Sequence, residues 1–148
     1  MNMLAHVGIS VSDMDRSIAF YQNLLGLAIA FDGRFEGERY ERILKLPHAS
    51  GRVALLKGPQ LELELFEFEY PRPQCTGPER QVNNHGITHF CVEVDDLDGL
   101  YERLLRAGMT FHCPPIVFGQ AVKATYGRDP DGTVIELVER LHRMPSGP

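Results

Sequence analysis

The sequence lacks any apolar run close to the ~20 residues that a transmembrane helix needs, so we predict no membrane span. Its N-terminus lacks the basic flank and the long apolar core of a signal peptide. Only three cysteines occur, Cys75, Cys91 and Cys113, without Cys-x-x-Cys spacing. We therefore expect neither a disulfide framework nor a cysteine-rich zinc site. The absences together predict a cytoplasmic protein.

Basic residues are also scarce. The 15 Lys and Arg residues are outnumbered by 20 Asp and Glu residues, and no dense basic cluster occurs. The electrostatic surface of a nucleic-acid-binding protein is missing, so we predict no nucleic-acid partner. A length of 148 residues with 43% hydrophobic content is ordinary for a compact globular domain, or for two small halves that share a core.

The chain does contain an internal repeat. His6 and His89 each stand early in an alternating apolar segment, at 4–11 and 87–94, and the two histidines are 83 residues apart. Such alternation predicts a half-buried strand in each half. At the same offset Asp13 falls on Asp96, and both aspartates are plausible N-caps of a following helix.

Each half continues in the same order of elements. The helices are expected to end near Gly26 and Gly108, because apolar residues at helical spacing stop there. Further strands are predicted at 27–35, 52–57 and 60–67 in the first half, and at 109–112, 116–118, 122–128 and 133–139 in the second. Asp32-Gly33 is expected to interrupt the strand at 27–35. The charged segment 36–50 is compatible with a short helix or with an ordered excursion.

The repeat predicts an α+β protein made of two tandem modules. Module one covers about 3–69, a Pro- and Gly-rich linker covers about 70–86, and module two covers about 87–140, within one domain spanning 1–148. Residues beyond the last strand are expected to fray. A unit of this size cannot bury both faces of its sheet alone, so the modules should share one structure.

Four polar residues recur at equivalent places in the two halves. They are His6, Glu64, His89 and Glu136, since Leu63-Glu64-Leu65 is matched by Ile135-Glu136-Leu137. All four should project from the face that the helices do not cover. Two imidazoles and two carboxylates that converge in a partly apolar cleft are costly without a partner. A divalent metal ion supplies one, and this donor set suits Ni, Mn, Fe, Co, Mg or Zn.

Other polar residues have no repeat partner. We interpret four further histidines as surface residues: His48, His85, His112 and His142. Cys91 shares the predicted face of His89 and either lines the cleft or, as we prefer, is a buried structural thiol. Tyr126 offers a hydroxyl to a substrate or simply packs. Arg39 and Arg42 select an anionic substrate or belong to a solvated face.

Five segments carry a family resemblance: His-Val-Gly-Ile-Ser-Val-Ser-Asp-Met-Asp-Arg-Ser-Ile-Ala-Phe-Tyr from His6, Leu-Leu-Gly-Leu from Leu24, Leu-Glu-Leu-Phe from Leu63, Thr-His-Phe-Cys-Val-Glu-Val-Asp-Asp-Leu from Thr88 and Asp-Pro-Asp-Gly-Thr-Val-Ile-Glu-Leu from Asp129. They resemble the vicinal oxygen chelate superfamily, which includes glyoxalase I, methylmalonyl-CoA epimerase, extradiol dioxygenases, and fosfomycin- and bleomycin-resistance proteins. The five segments span nearly the whole chain.

The resemblance implies paired βαβββ modules that form a U-shaped, partly open mixed sheet around a metal-containing cleft, usually in a homodimer. It implies one divalent metal per site that chelates two neighbouring oxygens of a small-molecule substrate and stabilises an enediolate-type intermediate. Glu136 or Glu64 would be the catalytic base. The closest activity is that of a glyoxalase I-like lyase or isomerase. The alternatives are an epimerase, an extradiol-type dioxygenase, or a metal-free drug- or metabolite-binding resistance protein.

Overall fold

The computed structural model describes residues 3–74 and 80–141, and the chain divides into two compact units, Met1–Thr76 and Gly77–Pro148. The first unit contains β1 (Val7–Ser10), α1 (Met14–Leu25), β2 (Ala28–Phe35), α2 (Glu38–Leu44), β3 (Ser50–Lys57) and β4 (Glu62–Tyr70). The second contains β5 (Phe90–Glu93), α3 (Leu97–Arg106), β6 (Thr110–Phe111), β7 (Ile116–Phe118), β8 (Val122–Arg128) and β9 (Val134–Arg140). The predictions for Cys75, His142 and most of the tail lie outside the described residues.

Each unit forms an open mixed sheet, which confirms the α+β class. The strand order is β1-β4-β3-β2 in the first unit and β5-β9-β8-β6 in the second, where β7 also pairs with β8. The first strand of each unit runs parallel to the last, and the other pairs are antiparallel. The predicted strand, helix and further strands are present in both units. The single strand β2, which pairs with β3 in the first unit, corresponds to two short strands in the second, β6 and β7, which both pair with β8.

The repeat extends to the register of the sheets. Gly8 lies opposite Glu64 in the first unit, and Cys91 lies opposite Glu136 in the second. The first strands are shorter than predicted, because His6 and His89 both lie just before the strand begins. Each histidine therefore stands two residues before the partner of a glutamate, and so on the same sheet face as that glutamate.

The two faces of each last strand differ as the alternation predicts. The residues on either side of the glutamate are fully buried in both units: Leu63 and Leu65 on β4, Ile135 and Leu137 on β9. On the sheet-facing sides of α1 and α3, four further residues are buried: Met14, Tyr21, Leu97 and Leu104. Apolar burial of this kind stabilises each sheet and holds each glutamate on the opposite face.

Both predicted helix starts are confirmed. The Asp13 carboxylate accepts a hydrogen bond from the Arg16 backbone N–H at 3.0 Å, and the Asp96 carboxylate accepts one from the Gly99 N–H at 3.0 Å. The first helix ends at Gly26, whose φ of 66° lies in the left-handed region that glycine adopts easily. Among the helices of the described residues, none is long and apolar enough to cross a membrane.

A second repeated contact ties each helix to its sheet. Arg52 on β3 bonds the Asp15 carboxylate in the first turn of α1 at 2.8 Å. Lys123 on β8 bonds the Asp98 carboxylate in the first turn of α3 at 2.6 Å. Both pairs join a strand cation to the acidic N-terminal turn of the helix, where negative charge is already favourable.

The predicted interruption at Asp32-Gly33 is wrong, because β2 continues through both residues. The Asp32 carboxylate binds the Arg52 guanidinium through two hydrogen bonds, at 2.8 and 2.6 Å. These hydrogen bonds also lower the pKa of Asp32. A tie to the neighbouring strand therefore keeps the ladder intact where the sequence suggests a turn.

Within the charged segment 36–50, Glu38–Leu44 forms the short helix α2, so the first of the two predicted alternatives, a short helix, is confirmed. Its flanks contribute to a small apolar cluster on the glutamate-bearing face of the first sheet. The buried members are Phe35, Ala49 and Val53, and Leu44, Leu46, Phe66 and Phe68 pack against them. This end of the face is therefore covered by the chain itself.

One buried polar atom has no partner among the described residues, the hydroxyl of Ser17 on α1. We expect Ser17→Ala to raise the free energy of unfolding by about 1 kcal/mol, because an unsatisfied buried hydroxyl costs ~1–3 kcal/mol. Alanine is also the better helix former. Urea denaturation measures the change. The exposed Gln22→Ala in the same helix reports the propensity gain alone, and an equal effect of the two variants would contradict the desolvation argument.

Candidate functional site

The first unit holds one half of the predicted ligand set. His6 Nε2 lies 3.4 Å from Glu64 Oε2, on the sheet face opposite α1. Both side chains are partly exposed, so the pair is open to solvent or to a ligand. The neighbouring positions on this face are apolar, because Leu55 lies opposite Glu64 and Phe31 lies opposite Leu55.

The second unit holds the equivalent pair in a more enclosed place. His89 Nε2 lies 3.0 Å from Glu136 Oε2, and the two side chains are 25% and 23% exposed. The ring of Tyr126 accounts for part of this cover, since its centroid lies 4.8 Å from that of His89. Tyr126 is also the cross-strand partner of Glu136.

Thr88 is a contact of the site that we did not predict. Its hydroxyl lies 2.8 Å from His89 Nδ1. The hydroxyl oxygen can accept a hydrogen bond from Nδ1–H, and in that tautomer Nε2 has a lone pair for a ligand. The repeat places Ala5 at the equivalent position before His6, and alanine has no such group. This difference between two otherwise matching segments is the signal in the sequence that identifies Thr88.

The spacing within each pair fits a divalent metal. With bonds of ~2.1 Å, two neighbouring donors lie about 3.0 Å apart at an octahedral angle and about 3.4 Å apart at a tetrahedral angle. The observed nitrogen–oxygen distances are 3.4 Å and 3.0 Å. Imidazole nitrogen and carboxylate oxygen also form a donor set that first-row metals bind.

Each unit supplies only two of the four predicted ligands. Across residues 3–74 and 80–141, no three His, Cys, Asp or Glu side chains are grouped so that they could hold a metal ion. The structure thus brings together His6 with Glu64 and His89 with Glu136. A site of all four stays a prediction.

Tyr126 is suited to contact a substrate. Its hydroxyl lies 3.5 Å from His89 Nε2, a distance too long for a strong hydrogen bond. Desolvation, followed by the charge of Glu136, raises the pKa of Tyr126. The phenol therefore stays protonated near neutral pH and is a neutral donor beside the His89–Glu136 pair.

The interpretation of Cys91 as a buried thiol is wrong, because the residue is exposed. It lies opposite Glu136 on the same face as His89, at a position where the first unit has Gly8. Desolvation, a hydrogen bond to Glu136 and that carboxylate's charge raise the pKa of Cys91 to about 12. The Cys91 thiol is therefore neutral near neutral pH in the metal-free protein.

The remaining histidines differ from one another. His48 and His85 are exposed, and the His85 carbonyl accepts a hydrogen bond from Arg80 at 3.2 Å. His112 is exposed too, but it lies beside Tyr126 and accepts a hydrogen bond from Arg128. Arg39 and Arg42 are exposed on α2.

Comparisons with known proteins agree with this architecture. Residues 3–137 match the model of the Glyoxalase/Bleomycin resistance protein/Dioxygenase superfamily. The lactoylglutathione lyase of Salmonella typhimurium is 30% identical over 139 residues, which cover 92% of this chain and 91% of that protein.

Solved structures resemble the chain as well. A glyoxalase family protein from Bacillus cereus has a TM-score of 0.86 at 25% identity, over 95% of this chain and 97% of that one. A mutant of the fosfomycin resistance protein FosX from Listeria monocytogenes has a TM-score of 0.63 at 15% identity, over 97% and 93% of the two chains. That protein was solved with Mn(II) and 1S,2S-dihydroxypropylphosphonic acid, and at this identity its likeness concerns the fold alone.

Proposed function

Because the chain belongs to the Glyoxalase/Bleomycin resistance protein/Dioxygenase superfamily, we propose that it is a metal-dependent enzyme that chelates vicinal oxygens of a small substrate. The repeated histidine–glutamate pair, with metal-compatible distances of 3.4 and 3.0 Å, carries this proposal. The similarity to a lactoylglutathione lyase favours a glyoxalase I-like lyase or isomerase.

In this proposal His6, Glu64, His89 and Glu136 bind one divalent ion, which is Ni, Mn, Fe, Co, Mg or Zn. Such an ion, when bound, would supply Lewis-acid stabilisation of the negative charge that develops on two vicinal substrate oxygens in an enediolate-type intermediate. Four ligands on one ion require a pair from each module, so the two modules act as a single domain. A homodimer in the cytoplasm, acting on a small molecule, completes the proposal.

The protein side chains move the proton. One carboxylate, of Glu136 or of Glu64, takes a proton from the carbon beside the substrate carbonyl and returns it to the carbonyl carbon. The hydroxyl proton passes to the former carbonyl oxygen, so that the carbonyl and the hydroxyl exchange places. No electrons enter or leave the substrate overall. Tyr126 stays protonated, and its hydroxyl donates a hydrogen bond to a substrate oxygen beside the His89–Glu136 pair.

Turnover of the hemithioacetal of methylglyoxal and glutathione tests the named activity. We expect activity after loading with one of Ni, Mn, Fe, Co, Mg or Zn and little without metal. Glu64→Gln and Glu136→Gln form a matched pair of variants. At saturating metal, the variant that lacks the base should have a kcat about 1000-fold or more below that of the wild type, whereas the other variant should have most of the wild-type kcat.

The outcomes separate the possible reactions. No turnover with any of these metals, in a protein that does bind metal, would contradict the glyoxalase activity and favour the epimerase or the ring-cleaving dioxygenase. A protein that binds none of them, by elemental analysis and by titration, would contradict the metal-dependent function. It would then favour a metal-free drug- or metabolite-binding protein.

A further inference from the structure

The glutamate-bearing face of the second unit carries a row of polar side chains that extends beyond the predicted ligands. Glu136 on β9 lies beside Tyr126 on β8. The His112 backbone N–H donates to the Tyr126 carbonyl at 2.8 Å, directly after β6, so His112 stands beside Tyr126 on the same face. Their ring centroids are 6.0 Å apart. The row therefore crosses three neighbouring strands.

The tautomer of His112 follows from its contact with Arg128. The Arg128 Nε–H donates to His112 Nε2 at 3.0 Å. Arginine has no acceptor, so Nε2 must be unprotonated and the ring proton of the neutral imidazole lies on Nδ1. The other two nitrogens of Arg128 donate to the backbone carbonyls of Gly132 and Arg80, each at 2.9 Å, which fixes the guanidinium in place.

The same contact keeps His112 neutral and strengthens its free donor. Desolvation, followed by the charge of Arg128, lowers the pKa of His112. A hydrogen bond accepted at Nε2 from a cation polarises the ring and makes Nδ1–H a better donor. His112 is exposed, so this donor is open to a ligand.

The first unit has no such row. Its register-equivalent positions beside Glu64 are occupied by Leu55 and Phe31. The repeat therefore diverges on this face, apolar in one unit and donor-bearing in the other. The buried positions that hold each sheet together stay apolar in both units, so packing alone does not explain the difference.

We infer that His112 is a specificity-determining residue, whose Nδ1–H donates to a second oxygen function of the substrate, at a distance from the chelated oxygens. This inference rests on the proposed function, because the His89–Glu136 pair defines where chelation occurs. Adjacent strands lie ~4.8 Å apart, so His112 is roughly two strand spacings from Glu136. The nearby charge of Arg128 favours a carboxylate over a neutral carbonyl. The expected substrate class is a 2-hydroxy or 2-oxo compound whose distal carboxylate carbon is about four bonds from the chelated oxygen on C2.

Two probes of equal chain length test the subsite. The probe 2-hydroxyglutarate has the distal carboxylate, and 2-hydroxyvalerate has a methyl group in its place. In the Mn²⁺-loaded protein we expect calorimetry to show roughly 10-fold tighter binding of 2-hydroxyglutarate, the value of one charge-assisted hydrogen bond. His112→Phe should reduce the preference to about 2-fold, whereas His112→Asn, which places an amide donor near Nδ1, should restore most of it. Binding of 2-hydroxyvalerate should change little in either variant.

A second measurement needs no metal. Nitrogen-15 spectra of the histidines in the metal-free protein should show His112 as the Nδ1–H tautomer. The Nε2–H tautomer, or an undiminished preference in His112→Phe, would overturn the subsite and leave the metal proposal intact. If the wild-type protein binds no metal, the proposed function fails separately. Titration of the metal-free protein with 2-hydroxyglutarate then decides the subsite, since a shift of the His112 Nδ1 resonance supports it and an unmoved resonance overturns it.

Discussion

His89→Ala is expected to weaken divalent-metal binding by at least about 100-fold, because it removes one of the four proposed donors. Changes in the residues that merely support metal ligands already cost ~10–100-fold. His6→Ala should have a loss of similar size, since the proposed site gives the two repeat-related histidines equivalent roles on one ion. Titration of the purified, metal-free variants with Mn²⁺ or Ni²⁺, followed by calorimetry, measures both affinities.

His85→Ala is the matched control for this pair. His85 precedes His89 by four residues and is exposed, so its loss should leave metal affinity within about 2-fold of the wild type. Unchanged affinity in His89→Ala would show that the ligands lie elsewhere. A loss in His89→Ala without one in His6→Ala would show that the second unit binds metal independently, which contradicts a site of four ligands.

The duplication explains why much of the architecture could be predicted from one sequence. A lone histidine in an apolar segment is most often an ordinary core or surface residue, but His6 and His89 each directly precede the first strand of their unit and are each followed by an acidic N-cap. The caps at Asp13 and Asp96 are both confirmed, and the structure adds that the first strand pairs parallel to the last in both units. A pattern that recurs at equivalent places in both halves indicates a structural role, which a single occurrence does not.

The features that could not be predicted arise where the two copies differ or where distant residues meet. Thr88 has no counterpart before His6, and His112 acquires its tautomer from Arg128, 16 residues away, across the β6–β8 register. The Asp-Gly pair in β2 is typical of a turn, but the cross-strand hydrogen bonds from Arg52 to Asp32 prevent one. Local propensity loses to such tertiary contacts, and the pattern of a single sequence does not contain them.

Leu137→Ala is expected to lower the free energy of unfolding by about 3 kcal/mol, within the ~2–5 kcal/mol found for buried leucines. Leu137 is fully buried on the helix-facing side of β9, next to Glu136. The loss combines the transfer of the leucine side chain to water with the cavity left behind. Urea denaturation of the metal-free protein measures it, and the midpoint and the slope should be reported together, because a changed slope would signal loss of cooperativity.

Leu105→Ala is the matched control, because Leu105 belongs to the same unit but is 49% exposed. Its cost should stay below about 1 kcal/mol. Equal losses in the two variants would contradict the burial argument.

Metal binding connects the stability of the sheet with the proposed site, since a ligand that binds only the folded protein stabilises it by ~2.7 kcal/mol at 100 times its Kd. Saturating Mn²⁺ should therefore offset most of the Leu137→Ala loss if Glu136 keeps its place, and it should not do so when His89 is also replaced. Recovery in the double variant would mean that the stabilising ion binds somewhere other than beside β9.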